Sequence, residues 1–236
     1  MTDIPIGALS GMTSVPRETI RRYERQGFIA PARRRENGYR AFSPAHVPQL
    51  KLARLAFSGF YTRPLRAQTI KILRASAAGR AADCRREIDL YAHMIAEEQS
   101  RALLAAEALD LLPRAQIDRT PRYTRAEAAR LVGASVEAIR GWERSGLVGA
   151  ADFYARVRYA QSDIPRMRLV RLLLTCGYSM QAALEAMTSG GEALLAPGVW
   201  EELATVKDRW LQSLGEAAER AEQMRAVLKM ADAPPF

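Results

Sequence analysis

Apolar positions recur at helical spacing along most of this chain and break off at short basic or glycine-containing stretches. Ile4, Ile6 and Leu9 predict the apolar face of a short opening helix. Ser14-Val15-Pro16 predicts a turn, with Ser14 as N-cap and Pro16 early in the next helix, where a missing N–H costs nothing. That second helix is expected over about residues 16–26, burying Ile20, exposing Arg17, Arg21 and Arg25, and ending at Gly27. The stretch from Ala30 to Phe42 combines arginines, an Asn37-Gly38 pair and alternating apolar residues, which predicts a small β-wing. Two helices follow, about 44–58 and 62–75, joined at Gly59; Leu50, Leu52, Leu55, Leu65, Ile70, Ile72 and Leu73 are expected to close the core.

Two long segments then step alternately by three and four. The first runs Ile88, Tyr91, Ile95, Glu98, Ala102, Ala105, Leu109, Leu112, and the second runs from Trp200 through Leu203, Lys207, Trp210 and Leu214 to Ala231. Such heptad spacing calls for a partner helix.

The pattern is written twice. Thr19-Ile20-Arg21-Arg22-Tyr23-Glu24-Arg25-Gln26-Gly27-Phe28-Ile29 returns as Ala138-Ile139-Arg140-Gly141-Trp142-Glu143-Arg144-Ser145-Gly146-Leu147-Val148, at a constant offset of 119. The second copy opens with Tyr123-Thr124-x-x-Glu127 as its first helix, has a wing two residues shorter without the Asn-Gly tip, and mirrors Gly59-Phe60 with Gly177-Tyr178. The expected fold is mostly α: tandem winged helix-turn-helix modules with small β-wings, each followed by a long coiled-coil-type helix. The segments are 1–80 for the first module, 81–113 for a long helix, 114–122 for a linker, 123–190 for a degenerate second module and 198–231 for the C-terminal coiled helix.

Charge follows the repeats. The net formal charge is +9, divided as +11 over residues 1–80, −2 over 81–122, +3 over 123–190 and −3 over 191–236. Cations concentrated on two compact modules favour a polyanion partner over a membrane surface. The two cysteines, Cys84 and Cys176, have neither disulfide nor zinc spacing, and His46 and His93 stand apart from carboxylate or thiol partners. No phosphate loop, metal helix or nucleophile triad assembles, so neither an enzyme nor a metal or cofactor site is expected. No stretch reaches the roughly 18 apolar residues of a membrane span, and the N-terminus carries no secretory pattern, so a cytoplasmic protein is expected.

Arginine suits duplex DNA because its planar fork grips phosphate or the guanine edge. Arg17, Arg21, Arg22 and Tyr23 on the second helix, Arg33, Arg34, Tyr39 and Arg40 on the wing, and Arg63 beyond it are the expected DNA-binding residues. Arg140, Trp142, Arg144, Arg156 and Arg158 are their counterparts, with Trp142 as fitting for a core as for a groove contact. Tyr91, Trp200 and Trp210 are candidates for an apolar effector pocket, although seam packing accounts for both tryptophans.

The order Ile6-Gly7-x-Leu9, Arg21-Arg22-Tyr23-Glu24, Gly27-Phe28-Ile29-x-Pro31, Asn37-Gly38-Tyr39-Arg40-x-Phe42 and Gly59-Phe60 resembles the mercury-resistance-regulator (MerR) family of bacterial transcription regulators over about residues 4–73. The resemblance implies a regulator that binds a pseudo-palindromic promoter element in double-stranded DNA and distorts it, with RNA polymerase as a partner. It also implies a seam formed by the long helices, giving either a homodimer or an intramolecular pseudo-dimer. Metal-sensing members of the family carry a thiolate near Cys84, but the cysteine-bearing loop they need is missing, so Cys84 is expected to be a small buried residue. Two other readings stand beside this one: an architectural, excisionase-like DNA-bending protein, and a protein-interaction adaptor without DNA contact.

Overall fold

The computed structural model describes residues 3–36, 38–59, 62–111, 120–149, 151–153, 156–188 and 199–232. It divides into two compact units, one of residues 1–96 with 213–236 and one of residues 97–212. These units cut across the sequence segments. The long helix α5, Ala81–Leu111, and the long helix α10, Val199–Asp232, each contribute to both.

In the first unit, α1 (Ile6–Thr13) and α2 (Arg17–Arg25) form the helix-turn-helix. Ser14 is not the N-cap expected of it. It closes α1 in the left-handed region at φ 53°, and α2 is preceded by extended Pro16, without a side-chain cap. The turn is held instead by Ser10 Oγ donating to the Val15 carbonyl at 2.8 Å and Thr13 Oγ1 to the Leu9 carbonyl at 2.7 Å. Ile4 also departs from expectation. It forms an antiparallel bridge with Phe42, its N–H donating to the Phe42 carbonyl at 2.7 Å, so the opening residues form the edge of the wing rather than a helical turn.

The wing strands β1 (Arg33–Arg34) and β2 (Arg40–Ala41) pair antiparallel, Arg33 opposite Ala41 and Arg34 opposite Arg40. Asn37, at the expected tip, lies outside the described residues. Helices α3 (His46–Phe57) and α4 (Arg63–Ala77) close the module. Leu50, Leu52, Leu65, Ile72 and Leu73 are buried as expected, joined by Leu9, Ile20 and Phe42; Leu55 and Ile70 are only half-buried. Two polar side chains fix the chain that leaves α2. His46 donates from Nε2 to the Ala30 carbonyl at 3.1 Å and accepts the Ser43 N–H on Nδ1 at 3.0 Å, while Gln49 accepts the Ala30 N–H at 2.8 Å.

The heptad residues Ile88, Tyr91 and Ile95 of α5 and Leu214, Ala217, Ala221, Met224 and Leu228 of α10 are buried in this same unit. Arg225 on α10 donates to Asp89 on α5 at 3.0 and 2.8 Å.

The second unit repeats the plan with more sheet. Strand β3 (Pro121–Thr124) joins β4 (Ala151–Phe153) and β5 (Arg156–Ala160) in the order β3-β5-β4, all antiparallel, with Tyr123 opposite Tyr159. Tyr123 stands 119 residues after Ile4, so β3 is the fuller form of the Ile4–Phe42 bridge. Tyr123 and Thr124 therefore precede helix α6 (Arg125–Val132) instead of opening it. Thr124 is its N-cap, in a capping box with Glu127. Helix α7 (Val136–Arg144) is capped by Ser135, and α8 (Asp163–Thr175) and α9 (Met180–Thr188) complete the module.

Candidate nucleic-acid interface

The outward face of α2 follows from which residues its core takes. Ile20 and Tyr23 turn inward, which leaves Arg22 and Arg25 exposed and Arg21 half-buried. Arg21 is ion-paired with Glu18 one turn earlier. Arg17 folds back over α1, where Gly7 makes room for it: a Cβ there would sit 2.8 Å from its Nη2. Tyr23 is a core residue, 8% exposed, with its ring 6.0 Å from Phe28 and 5.4 Å from Phe57. Burial raises its hydroxyl pKa, against the opposing charge and hydrogen bond of Arg22, whose guanidinium lies 5.9 Å from the ring centre.

On the wing, Arg33, Arg34 and Tyr39 are exposed, Tyr39 at 74%. Asp3 pairs with Arg33 and with Arg35, each at 3.3 Å, and Arg34 reaches the Gly38 carbonyl at 3.4 Å. Arg40 is engaged within the module: its Nε donates to Glu24 at 2.7 Å, and the other Glu24 oxygen accepts the Ala32 N–H at 3.1 Å. Glu24 therefore fastens α2 to both ends of the wing. Arg63 is exposed at the first turn of α4.

The second copy keeps the frame and changes the face. Glu137 pairs with Arg140, at the places of Glu18 and Arg21, and Arg144 is exposed, its Nε 3.4 Å from the Arg140 carbonyl. Trp142 takes the core alternative at 4% exposure, packed within the cluster of Ile139, Leu147 and Met167, because its position is the inward one that Tyr23 fills in the first copy. Strand β5 carries Arg156 and Arg158, whose side chains lie outside the described residues.

Glu143 repeats Glu24 with different partners. It accepts two hydrogen bonds from Arg125, at 3.0 and 2.9 Å, and one from the hydroxyl of Tyr159. Burial pushes the Glu143 pKa up, but these donors outweigh it and the net shift is downward; Tyr159, buried beside the carboxylate, is shifted up. The bracing role of this glutamate was missed in the sequence, although its survival at a constant offset in both copies was a visible signal.

The family model described as MerR family regulatory protein matches residues 5–42, from α1 to the return strand of the wing, and the one described as MerR HTH family regulatory protein matches residues 123–189, from β3 through α9. This chain carries two MerR-family modules. No curated protein and no solved structure matches it. MerR-family helix-turn-helix modules are those of DNA-binding transcription regulators rather than of enzymes.

The other candidate residues of the sequence are Tyr91, Trp200, Trp210 and Cys84. Tyr91 is wholly buried in the first unit, and Trp210, 4% exposed, belongs to the second; the Trp200 side chain lies outside the described residues. Cys84 is fully buried, its Sγ 3.6 Å from the Ile72 carbonyl, and burial pushes its thiol up to about 11. Among the described residues no cluster of histidine, cysteine or carboxylates is placed to hold a metal, and no helix is long and apolar enough to cross a membrane.

Proposed function

We propose that this chain is a cytoplasmic transcription regulator that binds a pseudo-palindromic promoter element asymmetrically and distorts it, acting on RNA polymerase at the promoter. The observation that carries this reading is the state of the cations in the first module. Among the described residues, Arg17, Arg22 and Arg25 of the reader helix and Arg63 of α4 have no carboxylate partner. Unpaired guanidinium groups on one helix and its flank are what phosphate positioning and guanine reading require. Arg21, Arg33, Arg34 and Tyr39 add to that face, and Arg40 and Tyr23 support it from behind. In the second module the counterparts of Arg17 and Arg22 are Val136 and Gly141, which leaves Arg140, Arg144 and the wing arginines Arg156 and Arg158 as a weaker grip. The half-site under the first module therefore dominates, and sequence-dependent bending between the half-sites sets the response.

Burial of heptad residues from both α5 and α10 within the first unit favours the intramolecular pseudo-dimer over a homodimer. One chain then supplies both readers.

The test is fluorescence anisotropy on the chain's own upstream duplex and on a scrambled duplex, titrated across salt, followed by DNase I footprinting. Neutralising about six phosphates predicts a log–log salt slope near −5. A preference that survives near-physiological salt, with unequal protection of the two half-sites, supports the regulator. Equal affinity for both duplexes refutes it and favours an architectural DNA bender.

A further inference from the structure

An apolar groove of about 520 Å³ opens in the first unit between the start of α3 and the end of α10. Its walls are Pro44, Val47, Pro48, Val227 and Met230, and among the described residues its lining includes one charge, Lys51, and no carboxylate. The volume suits a small molecule. Two features separate the groove from an ordinary surface crease. Met230 is 72% exposed, a large apolar side chain standing in water at the rim. Lys51, on the groove lining, has no ion-pair partner among the described residues.

In the duplicate, where α8 begins at Asp163 as α3 begins at His46, Val47, Pro48 and Lys51 have the counterparts Ile164, Pro165 and Arg168, while Gln161 and Ser162 stand in place of Pro44 and Ala45.

We propose that this groove binds a small apolar carboxylate, its hydrocarbon laid between Val47, Val227 and Met230 and its anionic end beside Lys51. The walls offer dispersion and burial without a hydrogen-bonding group, so an apolar body is selected; the lone cation selects the charge of the head. The ligand would touch the first turns of α3, where His46 holds the Ala30 carbonyl just beyond the reader helix, and so provides an input to the DNA-binding module. The site is independent of whether DNA is bound.

The experiment uses the full chain, with its methionine methyl groups ¹³C-labelled, titrated without DNA with octanoate and with 1-octanol. The expected result is a saturable shift of the Met230 methyl, with Met12, 56% exposed on α1, unmoved as the internal control. Octanoate should bind roughly two- to fivefold tighter than octanol, the modest advantage of one solvent-exposed cation. Lys51→Gln, a surface change that leaves the fold intact, should erase that difference. Parallel, non-saturating shifts of Met12 and Met230, equal affinity for acid and alcohol, or no shift would overturn the proposal. So would a Met230 shift that follows protein concentration alone, which would make a second copy the occupant. Because DNA is absent, failure here is distinct from failure of the regulator reading.

Discussion

Replacing Glu143 with alanine tests whether the glutamate shared by both copies is a brace. Its carboxylate is 17% exposed and holds the Arg125 guanidinium, 24% exposed, and the hydroxyl of Tyr159, a fully buried residue. Removal strands the hydroxyl at about 1–3 kcal/mol and gives up a charged hydrogen-bond pair worth about 1.5–3 kcal/mol. Arg125 can turn partly to solvent, so the second figure is discounted and a total of about 2–4 kcal/mol is expected. All three tryptophans, Trp142, Trp200 and Trp210, belong to the second unit, so a urea titration followed by tryptophan fluorescence reports on that unit. With m near 1.5 kcal/mol/M, the midpoint should fall by roughly 1–3 M. The cycle with Tyr159→Phe supplies the check, because that change should cost little once Glu143 is gone. The linkage has a definite sign. A carboxyl pKa lowered by folding adds stability above the ordinary carboxylate range and loses it as the pH falls through the folded value. Glu143→Ala should therefore flatten the acid side of the stability profile. A loss below about 0.5 kcal/mol, or full additivity with Tyr159→Phe, would refute the brace.

Three further outcomes are expected. Gly141→Arg should be accommodated, since a Cβ there meets only the Met180 methyl at 3.7 Å, and should stabilise α7 by about 0.5–1 kcal/mol while steepening the salt slope of DNA binding by about one, read by anisotropy. Ser14→Gly relieves a non-glycine residue at φ 53° and should raise the stability of the first unit by about 0.5 kcal/mol in urea titrations followed by far-UV circular dichroism, net of the greater freedom glycine has when unfolded. Cys84 and Cys176, both pushed up to about 11 by burial, should react with a disulfide reagent at pH 8 at least about tenfold more slowly than a free thiol, with Cys84 the slower because it is wholly buried.

The helical register was legible because periodic burial is a property of the chain itself: α2 was expected over 16–26 and spans Arg17–Arg25, and α10 was expected over 198–231 and spans Val199–Asp232. The small sheets were harder to read. Ile4 and Tyr123 sit beside helical apolar residues, and what draws them into strands is pairing with Phe42 and Tyr159, more than thirty residues away, which no local periodicity reports. Ser14 read as a cap because serine favours caps, yet Gly133, 119 residues later at φ 67°, already indicated that this turn needs a left-handed residue. How each arginine is engaged was not legible. Composition cannot distinguish Arg22, without a carboxylate partner among the described residues, from Arg40, committed to Glu24, because that difference is made by tertiary neighbours.

In the proposed pseudo-dimer, having both readers on one polypeptide would change how an operator is filled. Two separate subunits must first meet, so occupancy at low abundance rises with the square of their concentration; a chain that holds both readers responds to its first power, the second contact being made at the effective concentration set by the tether. It also frees the copies from each other. A substitution in a symmetric dimer appears at both half-sites at once, whereas here Glu24 and Glu143 have already acquired different partners, and one half can change its DNA preference while the other keeps its own.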